Sequence, residues 1–398
     1  MKQKTRFITA GRDPATNPDP LGRHGVVNPP VYHASTIVYP SLAEFRALPE
    51  RRQRDEQQTF YGRVYHPTTL ALERAVADIE GGYRSFAFPS GLAAIAAALQ
   101  AFLSTGDHVL IADSTYFPTR KFADGVLGRL GIAVTYYDPT IGAGIAELMR
   151  PETRVVFAES PGSLTFELQD IPAIAAAVHA GGAVLMADNT WATALYFRPF
   201  EHGVDVSIQA GTKYIVGHSD AMVGLVITTR EAWPPLSEFG HLAGQCLGPD
   251  DAYLALRGLR TLGARLPRHY ASGLAVAEWL MARPEVDRVL HPALKHHPGH
   301  DLWRRDFSGA SGLFSVVLKA CPEAALAAFI DGLEYFALGG SWGGYESLVL
   351  PADPAKIRTA TTWQAAGQLV RFHIGLEDPR DLIDDLAAGF DRLRALAR

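Results

Sequence analysis

The chain has 398 residues, 47% hydrophobic and 20% charged, with a formal net charge of −5. That is an ordinary globular balance on a chain long enough for two domains, and its mild acidity speaks against nucleic acid or an anionic membrane as a main partner. The two cysteines, Cys246 and Cys321, have no near partner at metal or redox spacing, which argues against a disulfide framework or a zinc ribbon. The start, MKQKTRFITAGR, lacks the apolar core of a signal peptide, and the apolar run 92–103 is too short to span a bilayer. A soluble cytoplasmic protein is expected.

Residues 1–62 are poor in periodic pattern and rich in proline (Pro14, Pro18, Pro20, Pro29, Pro30, Pro40). Such a segment reads as an arm lying on another surface, not as a domain with its own core. The charge-dense stretch RRQRDEQQ from Arg51 reads as a solvated turn or short helix. From Thr68 the period changes: Leu72, Ala75, Val76 and Ile79 recur at helical spacing, with Thr68 or Thr69 as the expected N-cap and Gly81 as the stop. Strand-length apolar runs then follow at 85–88, 108–111, 133–137, 154–158, 183–187, 204–208 and 225–229, with helical stretches at 92–103, 120–130 and 173–179. Strands alternating with crossover helices imply an α/β fold with a mainly parallel sheet covered on both faces. Ligands of such sheets bind at the carboxyl ends of the strands. Beyond residue 258 the pattern changes again, with a helical stretch at 274–281, strands at 314–318 and 369–374, and a terminal helix from Arg380. The expected organisation is an arm (1–62), a large domain (63–258) and a smaller α+β domain (259–398).

Three strand ends carry residues with chemistry. The turn Phe88-Pro89-Ser90-Gly91-Leu92 opens a helix whose free N–H groups and dipole suit a phosphate, although a capped Ser-Gly turn by itself is common. Asp188 ends the run AVLMAD, and a buried carboxylate there needs a cationic partner or hydrogen-bond donors to stay charged. One strand later, Lys213 stands between Thr212 and the apolar Tyr214-Ile215-Val216. A lysine in an apolar pocket has a lowered pKa and becomes a nucleophilic amine suited to Schiff-base chemistry. In this order and spacing, a phosphate cradle, a strand-end aspartate and a lysine describe a pyridoxal phosphate site.

The stretches YGRVYHPTT, FPSGLAAI, DSTYFPTR, ESPGS, ADNTW, SIQAGTKYIVGHSD, SWGGYESL and RFHIGLEDPRDLI, spread from about Thr5 to the C-terminus, resemble the Cys/Met-metabolism family of pyridoxal phosphate enzymes. The similarity is strongest to its bacterial β-lyase branch, because Trp342 in SWGGYESL stands where γ-synthase and γ-lyase relatives more often carry Leu. The resemblance implies a type I PLP-dependent transferase fold, of the aspartate aminotransferase kind, and a carbon–sulfur lyase that cleaves cystathionine by β-elimination. Its alternatives are γ-elimination, γ-replacement, cysteine desulfhydration and, at the bottom of the order, a non-catalytic PLP-binding regulator. It also implies roles: Lys213 holding the cofactor and carrying the proton, Asp188 on the pyridine nitrogen, and Tyr116 stacked on the ring, with stacking alone and added proton transfer left as alternatives for it. Gly91, Leu92 and Thr212 would hold the phosphate, with Tyr61 and Arg63 reaching a neighbouring subunit's cofactor. Arg371 would clamp the substrate carboxylate beside Ser341 and Trp342. A homodimeric catalytic unit, paired into a homotetramer, follows from the shared site. Two departures stand out: Ala210 replaces the Ser that many relatives carry three residues before the lysine, and residues 64–69 look more like the wider family than a β-lyase.

The tract HPALKHHPGH, with His291, His296, His297 and His300, reads as a loop with solvated histidines, because Pro292 and Pro298 break helical presentation and no metal site is expected. His218 is expected to order the turn after Lys213.

Overall fold

The computed structural model describes residues 2–11, 25–53 and 59–397. The arm residues 12–24 and the part of RRQRDEQQ at 54–58 lie outside the described residues, while Arg51–Gln53 complete the short helix Leu48–Gln53.

Seven strands build the larger sheet: β1 (Arg84–Phe88), β2 (His108–Ala112), β3 (Ala133–Tyr137), β4 (Thr153–Glu159), β5 (Val184–Asp188), β6 (Val206–Gln209) and β7 (Gly224–Thr228). Their order is β1-β7-β6-β5-β4-β2-β3. The pairs from β6 through β3 are parallel, and only β7 runs antiparallel to its neighbours β1 and β6. The mainly parallel seven-stranded sheet expected from the apolar runs is present, each strand within one or two residues of its expected place.

Apolar side chains cover both sheet faces. On one, Phe86, Phe88, Val155, Phe157, Met186 and Ile208 pack with the helix Gly91–Phe102. On the other, Val156, Leu185 and Ala187 pack with the helix Ile171–Ala180. The predicted helix at 120–130 is instead the helix Phe117–Phe122 followed by a π turn and a 3-10 turn to Leu130. The helix Pro67–Glu80 starts two or three residues earlier than expected. Its cap is His66, whose Nδ1 accepts from Thr68 N at 3.3 Å, because Pro67 takes the first helical position, where a missing N–H costs nothing.

A second sheet of five strands, ordered β10-β11-β12-β9-β8, holds β8 (Val286–Leu290), β9 (Leu313–Leu318), β10 (Phe336–Leu338), β11 (Ser347–Ala352) and β12 (Leu369–His373). The terminal helix Pro379–Leu396 packs on it through Leu382, Leu386 and Phe390. The boundary expected at 258/259 falls inside one unbroken helix, Pro249–Met281, that runs from the first unit into the second. The start of the arm also belongs to the chain's own core: the helix Gln3–Thr9 buries Phe7 completely beside Leu72 and Leu256. The histidine tract differs from its expectation. His291 and His297 are buried, and their Nδ1 atoms accept from Ala293 N and Gly299 N, so they lock a turn and are not solvated.

Candidate active site

The carboxyl ends of β4, β5 and β6, the start of the helix Gly91–Phe102 and the small-domain residues Trp342 and Arg371 enclose a cavity of about 350 Å³. This is where a parallel sheet leaves unsatisfied dipoles and room for a ligand. Lys213, Asp188, Tyr116, Gly91, Leu92 and Thr212 all line it. Ser341 joins through a contact, since Lys213 Nζ donates to Ser341 Oγ at 2.7 Å. Tyr61 and Arg63 are not brought there: Tyr61 is 43% exposed, and Arg63 Nη1 donates to His241 O at 2.8 Å.

Lys213 sits in a turn anchored from behind. Arg265 Nη2 donates to Tyr214 O at 2.9 Å and to Ile215 O, and His218 Nδ1 lies 2.8 Å from Val216 O, ordering the turn as the sequence suggested. Its ammonium lies 5.5 Å from the centre of the Trp342 ring. Burial, joined by the positive charge of Arg371, pushes the lysine pKa down to about 8, against an opposing pull from Asp188. The amine is therefore far easier to deprotonate than a surface lysine.

Asp188 ends β5 next to Glu159 at the end of β4, in direct register. Asp188 Oδ1 accepts from Thr190 N at 2.9 Å and from the Thr190 hydroxyl. Burial raises the pKa of both carboxyl groups, but these donors and nearby Lys213 favour the charge on Asp188, so Glu159 is the partner that keeps a proton. Arg371, 7% exposed, donates Nη2 to the carbonyls of Gly340 and Ser341 at 3.1 and 3.2 Å, which leaves guanidinium donors for a ligand carboxylate. Burial lowers its pKa to about 10, so it stays a cation at neutral pH. The Tyr116 phenol is pushed up by burial and then by Glu159 and Asp188, so it stays protonated.

Pyridoxal phosphate fits this donor set. The first turn of the helix Gly91–Phe102 offers free backbone N–H groups, and Ser90 caps it through Ala93 N. A Cβ on Gly91 would lie 2.7 Å from Ala210 Cβ, so only glycine leaves that cradle open. Asp188 offers an anion for a pyridinium nitrogen, and Lys213 offers an amine for an aldehyde. The Ala210 departure is accommodated within the chain, where Ala210 N donates to Thr190 Oγ1 at 2.9 Å and ties the turn to Asp188.

The family model for Cys/Met metabolism PLP-dependent enzymes matches residues 5–391. The chain belongs to this family. Its cofactor is pyridoxal 5'-phosphate, and its fold is the type I fold of PLP-dependent enzymes. Over 398 residues the chain is 44% identical to cystathionine beta-lyase MetC of Escherichia coli K12, covering 98% of this chain and 99% of that one. Over 410 residues it is 40% identical to the L-alanine/L-glutamate racemase of Wolbachia pipientis wMel, covering 100% and 98%. The crystal structure of metB from Corynebacterium glutamicum superposes with a TM-score of 0.88 at 32% identity, covering 99% and 98% of the two chains.

Sequence reasoning assigned no role to Glu159, Thr190 or Ser163, although all three sit at this site or touch residues that do. The stretch ESPGS contained the signal, a carboxylate closing a buried strand. What places it beside Asp188 is strand register, which one sequence does not display.

Proposed function

We propose that this chain is a carbon–sulfur lyase that cleaves cystathionine by β-elimination, giving homocysteine, pyruvate and ammonia. The observation that carries it is Lys213, Asp188, Arg371 and Trp342 around one cavity, together with full-length similarity to a cystathionine beta-lyase. When bound, the cofactor supplies an electron-accepting ring that makes the substrate Cα–H acidic. The roles below are those of the chain's own residues.

Arg371 takes the substrate carboxylate in a two-pronged hydrogen bond with its remaining donors. Asp188 would supply the negative charge that pairs with the cofactor's pyridine nitrogen. Lys213 would hold the cofactor, and its lowered pKa makes a neutral amine available near neutral pH to take the Cα proton. Ser341 Oγ, 2.7 Å from Nζ, fixes where that amine points. Gly91, Leu92 and Thr212 would hold the phosphate, and Tyr116 would stack on the ring. Loss of the homocysteine thiolate from Cβ leaves aminoacrylate, which water hydrolyses to pyruvate and ammonia.

The catalytic unit is a homodimer, paired into a homotetramer, with Tyr61 and Arg63 serving the neighbouring copy's cofactor. Their place outside the chain's own cavity supports that reading. Mixing Lys213→Ala with Arg63→Ala subunits then regenerates one intact site per hybrid, and activity rises on mixing. Among the described residues no helix is long and apolar enough to cross a membrane, and both cysteines are free, which supports a cytoplasmic location.

Product identification tests the function. Cystathionine should give pyruvate and homocysteine; 2-oxobutyrate and cysteine would instead establish γ-elimination. Racemisation is a second reading, favoured by the Wolbachia relative and resting on the same Cα-proton removal. Inversion of L-alanine or L-glutamate faster than cystathionine cleavage would establish it as the main activity.

A further inference from the structure

The roles above leave one carboxyl group in the cavity without a task. Glu159 closes β4 in register with Asp188, and its Oε2 accepts from the backbone N–H of Tyr116 at 2.7 Å. In parallel neighbouring strands, residues in register point to the same side, so both acids face the cavity they line. Tyr116 needs such an anchor. Its ring is 44% exposed and packs on no other aromatic ring among the described residues, so its place is set through its backbone. The segment after Glu159 grips the same loop again: Ser163 N donates to Ser114 O at 2.8 Å, and Gly162 packs directly on the Ser114 side chain.

We propose that Glu159 is a positioning residue that acts through Tyr116, its side-chain oxygen holding the Tyr116 backbone so that the phenol ring is presented to the cofactor site. What the position requires is an acceptor of the right length. The negative charge is supplied by Asp188, which has the Thr190 donors and Lys213 beside it. Glu159 accepts from Tyr116 N–H beside a like-charged neighbour, and burial together with Asp188 raises its pKa well above the usual carboxylate value. A neutral Glu159 keeps its carbonyl oxygen for Tyr116 N–H, and glutamine reproduces that group. The proposal rests on the cofactor site and is independent of which sulfur amino acid is cleaved.

The test compares Glu159→Gln, Glu159→Ala and Glu159→Asp by two readouts on resolved and reconstituted protein: the equilibrium affinity for pyridoxal 5'-phosphate, and the visible circular dichroism of the bound cofactor, which reports ring placement. Glu159→Ala and Glu159→Asp should each weaken cofactor binding about tenfold or more, the size expected from one lost short hydrogen bond to a charged or strongly polar group, and should diminish the dichroism. Glu159→Gln should restore both. Tyr116→Ala should show the same loss, with no further loss when combined with Glu159→Ala, the mark of residues acting through one another. Glu159→Asp carries the test if Glu159→Ala does not fold. Unchanged affinity and dichroism in Glu159→Asp would overturn the proposal. So would a Glu159→Gln variant as impaired as Glu159→Ala, or additive effects with Tyr116→Ala.

Discussion

Asp113 is the buried joint between the two sheets' units, and replacing it by asparagine has a size that follows from its contacts. The carboxylate is fully buried. Its Oδ1 accepts from Arg120 Nη1 at 2.8 Å and Thr359 N at 3.0 Å; its Oδ2 accepts from Ala360 N at 3.1 Å, Thr361 N at 2.8 Å and the Thr361 hydroxyl at 2.7 Å. Arg358, bonded to Glu167 at 2.6 Å, closes a second clasp beside it. An asparagine amide replaces one acceptor oxygen by a donor. Whichever way it turns, at least two inward-facing donors lose their partner, and Arg120 loses its counter-charge. Breaking a buried pair in this manner costs about 3–5 kcal/mol. The assay is urea unfolding of Asp113→Asn against wild type at pH 7. The sign of the pH dependence is fixed as well. Burial pushes the Asp113 pKa up, but the donors from Thr359, Thr361 and Ala360 outweigh it and hold the pKa below its ordinary value of 3.8. Its stabilisation is therefore complete above 3.8 and is lost as pH falls through the lower folded value, so the two proteins should converge in acid. A difference under about 1 kcal/mol at pH 7, set against the range for a broken buried pair, or a gap that does not narrow below pH 3.8, would refute the reasoning.

Further outcomes follow from the same geometry. In cofactor-free protein, reductive methylation of Lys213 should have its midpoint at about pH 8, and Arg371→Met should move it upward by removing the neighbouring positive charge; an unmoved midpoint would contradict the assigned cause. Because the unfolded chain still binds that proton, this protein should gain stability as pH rises from about 8 towards the ordinary lysine value. Gly343→Ala should lower kcat and quench the contact between Lys213 and Trp342, since Gly343 has φ +89 and a Cβ there would lie 2.8 Å from the Lys213 carbonyl carbon; wild-type turnover in that variant would show that the loop bearing Ser341 is not held by this approach. Arg371→Lys keeps a cation but loses the planar fork, and should lower kcat/KM about 10- to 100-fold, as one lost charge-assisted hydrogen bond implies, in a pyruvate-coupled assay.

The sheet was legible because each of its strands is a short apolar run bounded by polar or glycine residues, as in HVLIA at 108–112 and VLMAD at 184–188. Strands of the small unit were hidden for local reasons. β8 carries Asp287 and Arg288 in its middle, β10 is three residues long, and β11 contains Pro351. The sequence pattern showed only the stretch 274–281 of the helix Pro249–Met281, which continues through Pro267 and is buried on one side by Leu256, Leu259, Leu262 and Leu266. Tertiary packing there outweighs the hydrogen bond that proline removes. At the site, the residues with distinctive chemistry were legible one by one. Glu159 and Asp113 were not, because what defines them is a neighbour brought close by register or by a chain segment 246 residues away.

The central claim is that Lys213 moves the Cα proton, and exchange of that proton with solvent measures it directly. With cofactor-loaded protein in deuterium oxide, NMR of a slowly reacting amino acid such as L-alanine should show replacement of the α-proton by deuterium in the wild type. Lys213→Ala, still binding the cofactor noncovalently, should show at least about a thousandfold slower exchange, within the range that a positioned proton carrier contributes. Exchange in Lys213→Ala at the wild-type rate would contradict the account.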